Sequence, residues 1–197
     1  MKRFTYIITL FFLLSPALLA KESANTFIIK TVEEISAFIT ENKAMLENDE
    51  EYLRTKVDEL VIPKLNISLM SKIVLGRDNW TSSNDYQKRE FQKAFRSLMV
   101  RTYMKSLTTF DGEKMKFMPF KVGKRPNIAR VNSIYLLSEG ELPVSYRLKF
   151  TESNGWKVFD IIIDGISLLK NYRTDFQEHI QNNGINSLIA ELNNGNE

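Results

Sequence analysis

The sequence contains no cysteine and a single histidine among its 197 residues. Without cysteine the chain can form no disulfide, carry no lipid on an N-terminal cysteine and build no thiolate metal site. It also has no Gly-rich phosphate loop, no cluster with metal-ligand spacing and no nucleophile elbow. These absences argue against an enzyme, and we expect neither a cofactor nor a metal ion.

Apolar runs long enough to cross a membrane are also lacking. Lys2 and Arg3 precede an apolar run from Phe4 to Leu14, which is shorter than the roughly 20 residues of a membrane-spanning helix. Small residues follow this run, so residues 1–20 are predicted to be a secretory signal peptide that is cleaved after Ala20.

The chain has little net charge, because its 27 basic residues nearly balance its 24 acidic residues. Loss of the two basic residues of the signal peptide leaves the mature chain nearly neutral, which argues against binding of nucleic acid. Without linkers or repeats, residues 21–197 are expected to form a single domain. An exported, disulfide-free chain of this size fits a bacterial periplasm.

The first half of the chain has helical periodicity. A capping box at Thr31-x-x-Glu34 predicts one helix start, and further helices are expected from about Asn48 to before Pro63 and from about Ser68 to Gly76. A long helix from about Asn84 to Thr109 places apolar and basic residues on opposite sides. Its apolar side is formed by Phe91, Phe95, Leu98 and Met99. Its basic stripe, Arg89, Lys93 and Arg96, is either a solvated face or a docking site for an acidic partner or anionic headgroups.

After Asp111-Gly112 the apolar period changes to two, which indicates strands. Residues 128–137 form one extended run, and a second run alternates before a turn at Asn154-Gly155. The segment from Gly155 to Ile163 reads as a strand that is apolar on both faces, followed by an Asp164-Gly165 turn and two closing helices. The sequence therefore predicts an α+β domain in which helices from both ends of the chain cover about four antiparallel strands.

Few side chains are candidates for catalysis. His179 lies four residues after Asp175, which is typical of a surface helix pair. Asp160 and Asp164 would lie roughly 13 Å apart along one strand, too far for a glycosidase pair. Asp164 is most simply a turn residue. Asp160, in an otherwise apolar strand, has equal claim to be a catalytic acid and a structural acceptor for Arg173 or for backbone donors.

Several motifs together resemble the toluene-tolerance family, which includes the MlaC proteins. The resemblance covers about residues 60–193, with Asn66 where the family tends to have Asp and Phe159 where it often has Tyr. The matching residues, in order, are Gly76-x-x-x-Trp80, Gln87, Phe91, Phe95, Tyr103, Gly155 to Asp160, Gly165-x-Ser167 and Asn171-Tyr172-Arg173-x-x-Phe176.

The resemblance implies a twisted sheet and helices that enclose an apolar cavity for phospholipid acyl chains. It also implies a monomeric periplasmic carrier that moves lipid between an outer-membrane lipoprotein–porin complex and an inner-membrane ABC transporter complex. The expected wall residues are Phe95, Leu98, Tyr103, Leu142, Val144, Tyr146, Leu148, Val158 and Ile162. The motif residues Trp80, Trp156, Asp160, Gly165 and Arg173 are expected to hold the scaffold, with an ion pair between strand and helix.

Two other functions remain open at the level of sequence. A small hydrolase or isomerase would need Asp160 or Tyr146 in a cavity with a perturbed pKa. A ligand-free envelope adaptor would use the basic helix face over a filled core. For the carrier, Val144→Glu is expected to abolish lipid retention without unfolding the protein.

Overall fold

The computed structural model describes residues 22–121 and 123–195, so the predicted signal peptide and its cleavage site lie outside the described residues. The α+β class is confirmed, with helices on both sides of the strands in sequence. Among the described residues, no helix is both long and apolar enough to span a bilayer. The helices are α1 (Ala24–Asn48), α2 (Glu50–Lys56), a π-helical turn (Val57–Val61), a 3₁₀ turn (Ile62–Lys64), α3 (Ile67–Ser82), α4 (Asp85–Thr108) and α5 (Leu168–Asn194).

Side-chain caps fix the helix starts. The Asn84 side chain accepts from the backbone N–H of Gln87 while the Gln87 side chain accepts from that of Asn84, so a capping box marks the predicted start of α4. The capping box predicted at Thr31 is wrong. Helix α1 instead begins after Ser23, whose hydroxyl accepts from the N–H of Thr26, and Thr31 is buried within the helix. At the N-cap position, an Asn or Ser side-chain oxygen accepts a hydrogen bond from a backbone N–H of the first turn, which has no acceptor within the helix.

The sheet has five antiparallel strands in sequential order, one more than expected. The additional strand is the short β5, which follows the Asp164-Gly165 turn. Both turn residues have positive φ, 48° and 80°, as a tight hairpin turn requires. The strands are β1 (Lys114–Phe117), β2 (Ile128–Leu137), β3 (Gly140–Thr151), β4 (Gly155–Ile163) and β5 (Ile166–Ser167).

A β-bulge interrupts the register between β3 and β4. Arg147 pairs with Asp160, but the next residue, Leu148, pairs with Val158, so Phe159 is the extra residue. Because side chains alternate between faces with period two, an extra residue exchanges the faces of everything beyond it. Val158 and Ile161 therefore share the inner face, and Ile162 lies on the outer face.

Three groups of buried residues form the core. The helical cluster joins α3, α4 and α5, with Phe91, Phe95 and Phe176 in stacked and edge-to-face contact. The sheet cluster covers the inner face of β2, β3 and β4 with residues of α1. A third cluster joins α1, α2 and the π-helical turn to α4 through residues such as Ile39, Val57 and Val100.

Glycines bend two of the helices. Gly76 in α3 has φ 72° and ψ 169°, and Gly184 in α5 has φ 80° and ψ 165°. This region of backbone space is accessible essentially to glycine alone. The expected end of a helix at Gly76 and the expected division of the closing helices at Gly184 are thus seen as sharp breaks, after which the chain continues as helix.

Candidate functional site: two adjoining apolar pockets

The first pocket, here the α1 pocket, lies between α1 and the inner face of the sheet and has a volume of about 310 Å³. Helix α1 contributes one stripe at helical spacing, and β2, β3 and β4 contribute Tyr135, Tyr146, Val158 and Ile161. The stripe forms because residues three and four apart lie on one side of a helix. Its members are Ile28, Thr31, Val32, Ile35, Ser36 and Ile39.

The second pocket, here the α4 pocket, has a volume of about 220 Å³ and is lined by α4, the π-helical turn and the end of β4. The two pockets adjoin, since Val61, Leu65 and Ile161 line both, as do Ser106 and Leu107. Together their volumes fall in the range of about 300–1,000 Å³ that ligand sites occupy. The region therefore offers two apolar lobes separated by a small set of shared side chains.

The polar groups that line the α1 pocket are the hydroxyls of Tyr135 and Tyr146 and the side chains of Thr31, Ser36, Lys64 and Ser106. The Tyr135 and Tyr146 hydroxyls lie 3.1 Å apart, and Ser133 donates to the Val144 carbonyl at 3.3 Å. Burial raises the pKa of Tyr135 far above its usual value, and the neighbouring Tyr146 adds to the effect. Burial also raises the pKa of Tyr146. Both phenols stay neutral at physiological pH, so the pocket wall presents no charge at this point.

The predicted wall residues fall into three groups. Tyr103 lines the α4 pocket, and Tyr146 and Val158 line the α1 pocket. Phe95 and Leu98 lie in the helical cluster, where they are almost fully buried. Leu142, Val144 and Leu148 belong to the sheet cluster or pack against it. Lipid contact by these residues stays a prediction.

Ile162 requires a correction. We expected it to share a face with Val158, but the bulge at Phe159 places it on the outer face, opposite Ser145 and Ser167. Its neighbours Ile161 and Ile163 line the pockets instead. Simple alternation along β4 fails here because it assumes an uninterrupted ladder.

The ion pair expected between Asp160 and Arg173 is also wrong. Asp160 is 1% exposed and pairs with Arg147, whose Nη1 lies 3.3 Å from its carboxylate. It also accepts from the Ser167 hydroxyl at 2.8 Å and from the Leu169 N–H at 3.3 Å. The predicted role as an acceptor for backbone donors agrees with these contacts, which tie β3, β4 and the start of α5 together.

The other scaffold residues lie at contacts between elements. The Trp156 indole N–H donates to the Glu22 carbonyl at 2.8 Å, and the Trp80 ring lies 5.8 Å from the Lys88 ammonium. Gly165 occupies the hairpin turn. Arg173 is exposed, and its guanidinium lies next to the helix break at Gly76. Their structural roles stay predictions.

His179 contacts the far half of its own helix rather than Asp175. Its Nδ1 lies 3.1 Å from a Glu191 carboxylate oxygen, and its Nε2 lies 3.1 Å from the Ser187 hydroxyl. Ser187 is exposed, and the three side chains bridge the two halves of α5 across Gly184. Ser187, His179 and Glu191 are residue types that occur in hydrolytic triads. In this structure, however, their contacts join the two halves of α5 across the helix break.

Sequence reasoning did not assign the largest part of the walls. The periodicity of α1 predicts a buried helix face but does not distinguish a pocket wall from a closed core. The segment from Val57 to Leu65, which lines both pockets, contains a π-helical turn that no simple period predicts. π-Helical turns are frequent at functional sites.

These features define the class of the protein. It is an α+β protein with an open sheet, and one face of this sheet is covered by helices around an apolar interior that contains the two pockets. The MlaC protein family model matches residues 29–194, and the chain belongs to this family.

Two relatives and one solved structure agree with this assignment. The chain is 24% identical to the intermembrane phospholipid transport system binding protein MlaC of Haemophilus influenzae, over 95% of this chain and 88% of that protein. It is 21% identical to the toluene tolerance protein Ttg2D of Pseudomonas putida, over 84% of this chain and 76% of that protein. A phospholipid-binding protein from Ralstonia solanacearum, solved with a phospholipid, shares the fold with a TM-score of 0.80 at 24% identity, covering 88% and 96% of the two chains.

Proposed function

We propose that the protein is a periplasmic phospholipid carrier that holds acyl chains in the α1 and α4 pockets. The observation that carries the proposal is the pair of adjoining apolar lobes, which matches a ligand with two apolar chains and one polar end. The family assignment and the names of the relatives support the same class of ligand. The carrier would pass lipid between an outer-membrane lipoprotein–porin complex and an inner-membrane ABC transporter complex.

The energetics fit a protein that binds and releases lipid rather than one that retains it permanently. Two acyl chains contain on the order of 30 methylenes, and their removal from water is worth roughly 20–25 kcal/mol at ~0.8 kcal/mol each. The lipid, however, starts in a bilayer that is as apolar as the pockets, so its extraction is nearly balanced. The protein needs apolar walls to offset the loss of the bilayer, and net direction must come from its partners.

The residues that line the pockets also favour a binding site over an active site for acid–base catalysis. Tyr135 and Tyr146 face the α1 pocket as neutral phenols, and the α4 pocket is lined almost wholly by apolar side chains. A rival enzyme would require a group poised to titrate near neutral pH. The pKa of each of these tyrosines is shifted away from neutrality, not toward it.

The first test is direct. Mature protein purified from periplasm should yield phospholipid in about one-to-one ratio when extracted with organic solvent and analysed by mass spectrometry. A folded protein that never carries phospholipid contradicts the proposal and favours the ligand-free adaptor.

The second test uses neighbouring isoleucines of β4 as a matched pair. Ile161→Glu places a carboxylate in the wall shared by both pockets, whereas Ile162→Glu places it on the outer face. Burial of a charge without a partner is strongly unfavourable, so Ile161→Glu should lose bound phospholipid and Ile162→Glu should keep it. Equal retention by two folded variants would show that these pockets are not the lipid site. Val144→Glu is a poorer test, since Val144 belongs to the sheet cluster and its replacement threatens the fold.

A further inference from the structure

The outer face of the sheet, opposite the α1 pocket, carries an unusual set of exposed side chains. Strand register places residues of β1, β2 and β3 in successive rows across this face. One row is Lys114, Leu136 and Glu141, and the next is Lys116, Ile134 and Pro143. Further along the strands, Arg130 lies opposite Arg147.

Positive charge dominates these rows. Lys114, Lys116, Arg130 and Arg147 are exposed, whereas the acidic residues at register positions of this face are Glu141 and the buried Asp160. Asp160 is already paired with Arg147. The mature chain is nearly neutral as a whole, so this face concentrates positive charge that is balanced elsewhere on the molecule.

Apolar side chains lie beside the lysines in the same rows. Leu136 is 40% exposed, and Ile134 beside it is partly exposed. Ile134 and Arg130 are four positions apart in β2, roughly 13 Å along the strand, with the polar pair Asn132 and Ser145 between them. A broad surface that carries cations together with exposed apolar residues beside the lysines complements the interface of a bilayer, where anionic phosphates lie next to acyl chains.

The predicted basic stripe of α4 differs from this face. Lys93 pairs with Glu90 at 2.7 Å, and Arg96 pairs with Asp58 at 2.8 Å. Carboxylates beside the stripe therefore offset much of its charge. On the outer face Arg147 is likewise paired, with Asp160, whereas Lys114 and Lys116 lie on an edge strand whose residue Met115 pairs with Tyr135 of the α1 pocket. The basic rows and the pocket thus share one edge of the sheet.

We propose that the outer face formed by Lys114, Lys116, Arg130, Ile134, Leu136 and Arg147 docks the protein on the surface of an anionic bilayer. This inference rests on the proposed function, because a carrier must approach a membrane to load or release lipid. Docking would set the β1 edge of the α1 pocket against the headgroups.

The experiment measures co-sedimentation of the mature protein with vesicles. Binding should be strong to phosphatidylcholine vesicles that contain phosphatidylglycerol, weak to pure phosphatidylcholine, and reduced by added salt. Each lysine near an anionic surface contributes about fivefold to partitioning, so Lys114→Gln/Lys116→Gln should weaken binding roughly 25-fold. The matched control, Arg89→Gln/Lys93→Gln, removes the same charge from α4 and should bind as the parent does.

Three results would overturn the proposal. Equal losses in the two double variants would show that net charge rather than this face governs binding. Absence of vesicle binding by the parent protein would leave an acidic protein as the occupant of the face, and a dimer disrupted only by the Lys114/Lys116 variant would indicate self-association. Bound phospholipid is measured in every preparation, so loss of membrane docking with cargo retained is distinguished from failure of the carrier function.

Discussion

At the scale of single residues, Phe159 determines which side chains of β4 face the pockets. As the bulged residue it turns its ring toward the helical cluster, where the Arg147 guanidinium lies 4.9 Å from the ring centre. The segment before α3 fixes this geometry, since the Asn66 N–H donates to the Val158 carbonyl at 2.7 Å. One inserted residue thereby directs Ile161 and Ile163 inward and Ile162 outward.

Asp160 should be the most sensitive carboxylate in the protein. Asp160→Asn keeps the size of the side chain but removes the charge that Arg147 and the Ser167 hydroxyl contact. Loss of charge-assisted hydrogen bonds at a buried site should lower the free energy of unfolding by about 1–3 kcal/mol. Urea denaturation followed by circular dichroism measures the change.

Asp164 provides the matched control for that experiment. It is exposed in the hairpin turn with φ 48°, a conformation that Asn adopts readily. Asp164→Asn should change the free energy of unfolding by less than about 0.5 kcal/mol. Similar losses in the two variants would contradict the structural role assigned to the Asp160 contacts.

The buried phenol of Tyr135 predicts how the stability of the folded protein changes at alkaline pH. Its pKa is raised by burial and by Tyr146, so the folded protein keeps the phenol neutral while the unfolded chain ionises near pH 10. The stabilisation is fully present below pH 10 and is lost as the pH rises above that value. Tyr135→Phe should therefore show a shallower decline of melting temperature above pH 10 than the parent, at a cost of about 1 kcal/mol at neutral pH for the lost hydroxyl contact. Parallel declines in parent and variant would count against this assignment.

At the scale of elements, the breaks at Gly76 and Gly184 shape the helical layer. An alanine at either position would be forced into a backbone region that costs about 1–3 kcal/mol. Gly76→Ala and Gly184→Ala should cost similar amounts, because the Arg173 guanidinium 3.4 Å from a Cβ at Gly76 makes an ordinary contact and nothing lies within 4 Å at Gly184. Gly123→Ala, without a positive φ, should be nearly neutral. Thermal unfolding ranks the three variants, and a Gly76→Ala protein as stable as Gly123→Ala would refute the argument.

Elements with a regular period were predictable from sequence, and the interruptions were not. The bounds of β2 match the extended run at 128–137, and the Asn84 cap marks the start of α4, because both depend on local pattern. The bulge at Phe159 and the π-helical turn depend instead on contacts between distant segments, such as the one between Asn66 and Val158. The inward face of β4 depends on the bulge, so sequence alone placed Tyr103, Tyr146 and Val158 in the walls but missed Ile161. The α1 stripe was missed for a different reason, because helical periodicity does not distinguish a pocket wall from a closed core.

At the scale of the whole molecule, the sheet has two faces with different chemistry. The inner face is apolar and covered by α1, and the outer face is basic and exposed over β1, β2 and β3. Alternation within β1, β2 and β3 produces both faces, because successive residues of each strand point to opposite sides of the sheet. The proposed ligand site and the proposed membrane contact therefore lie on opposite sides of one sheet, so that each can be altered without the other.

The two apolar pockets predict that cargo stabilises the whole fold. A ligand that binds only the folded state adds about 2.7 kcal/mol at a hundredfold excess over its Kd, which corresponds to a melting temperature higher by roughly 5–10 °C in a protein of this size. Delipidated protein, prepared by refolding after solvent extraction, should melt lower by this amount and recover when phospholipid is returned. Ile162→Glu should show the same difference, whereas Ile161→Glu should melt at one temperature with or without lipid. A cargo-dependent shift that persists in folded Ile161→Glu would place the lipid outside the α1 and α4 pockets.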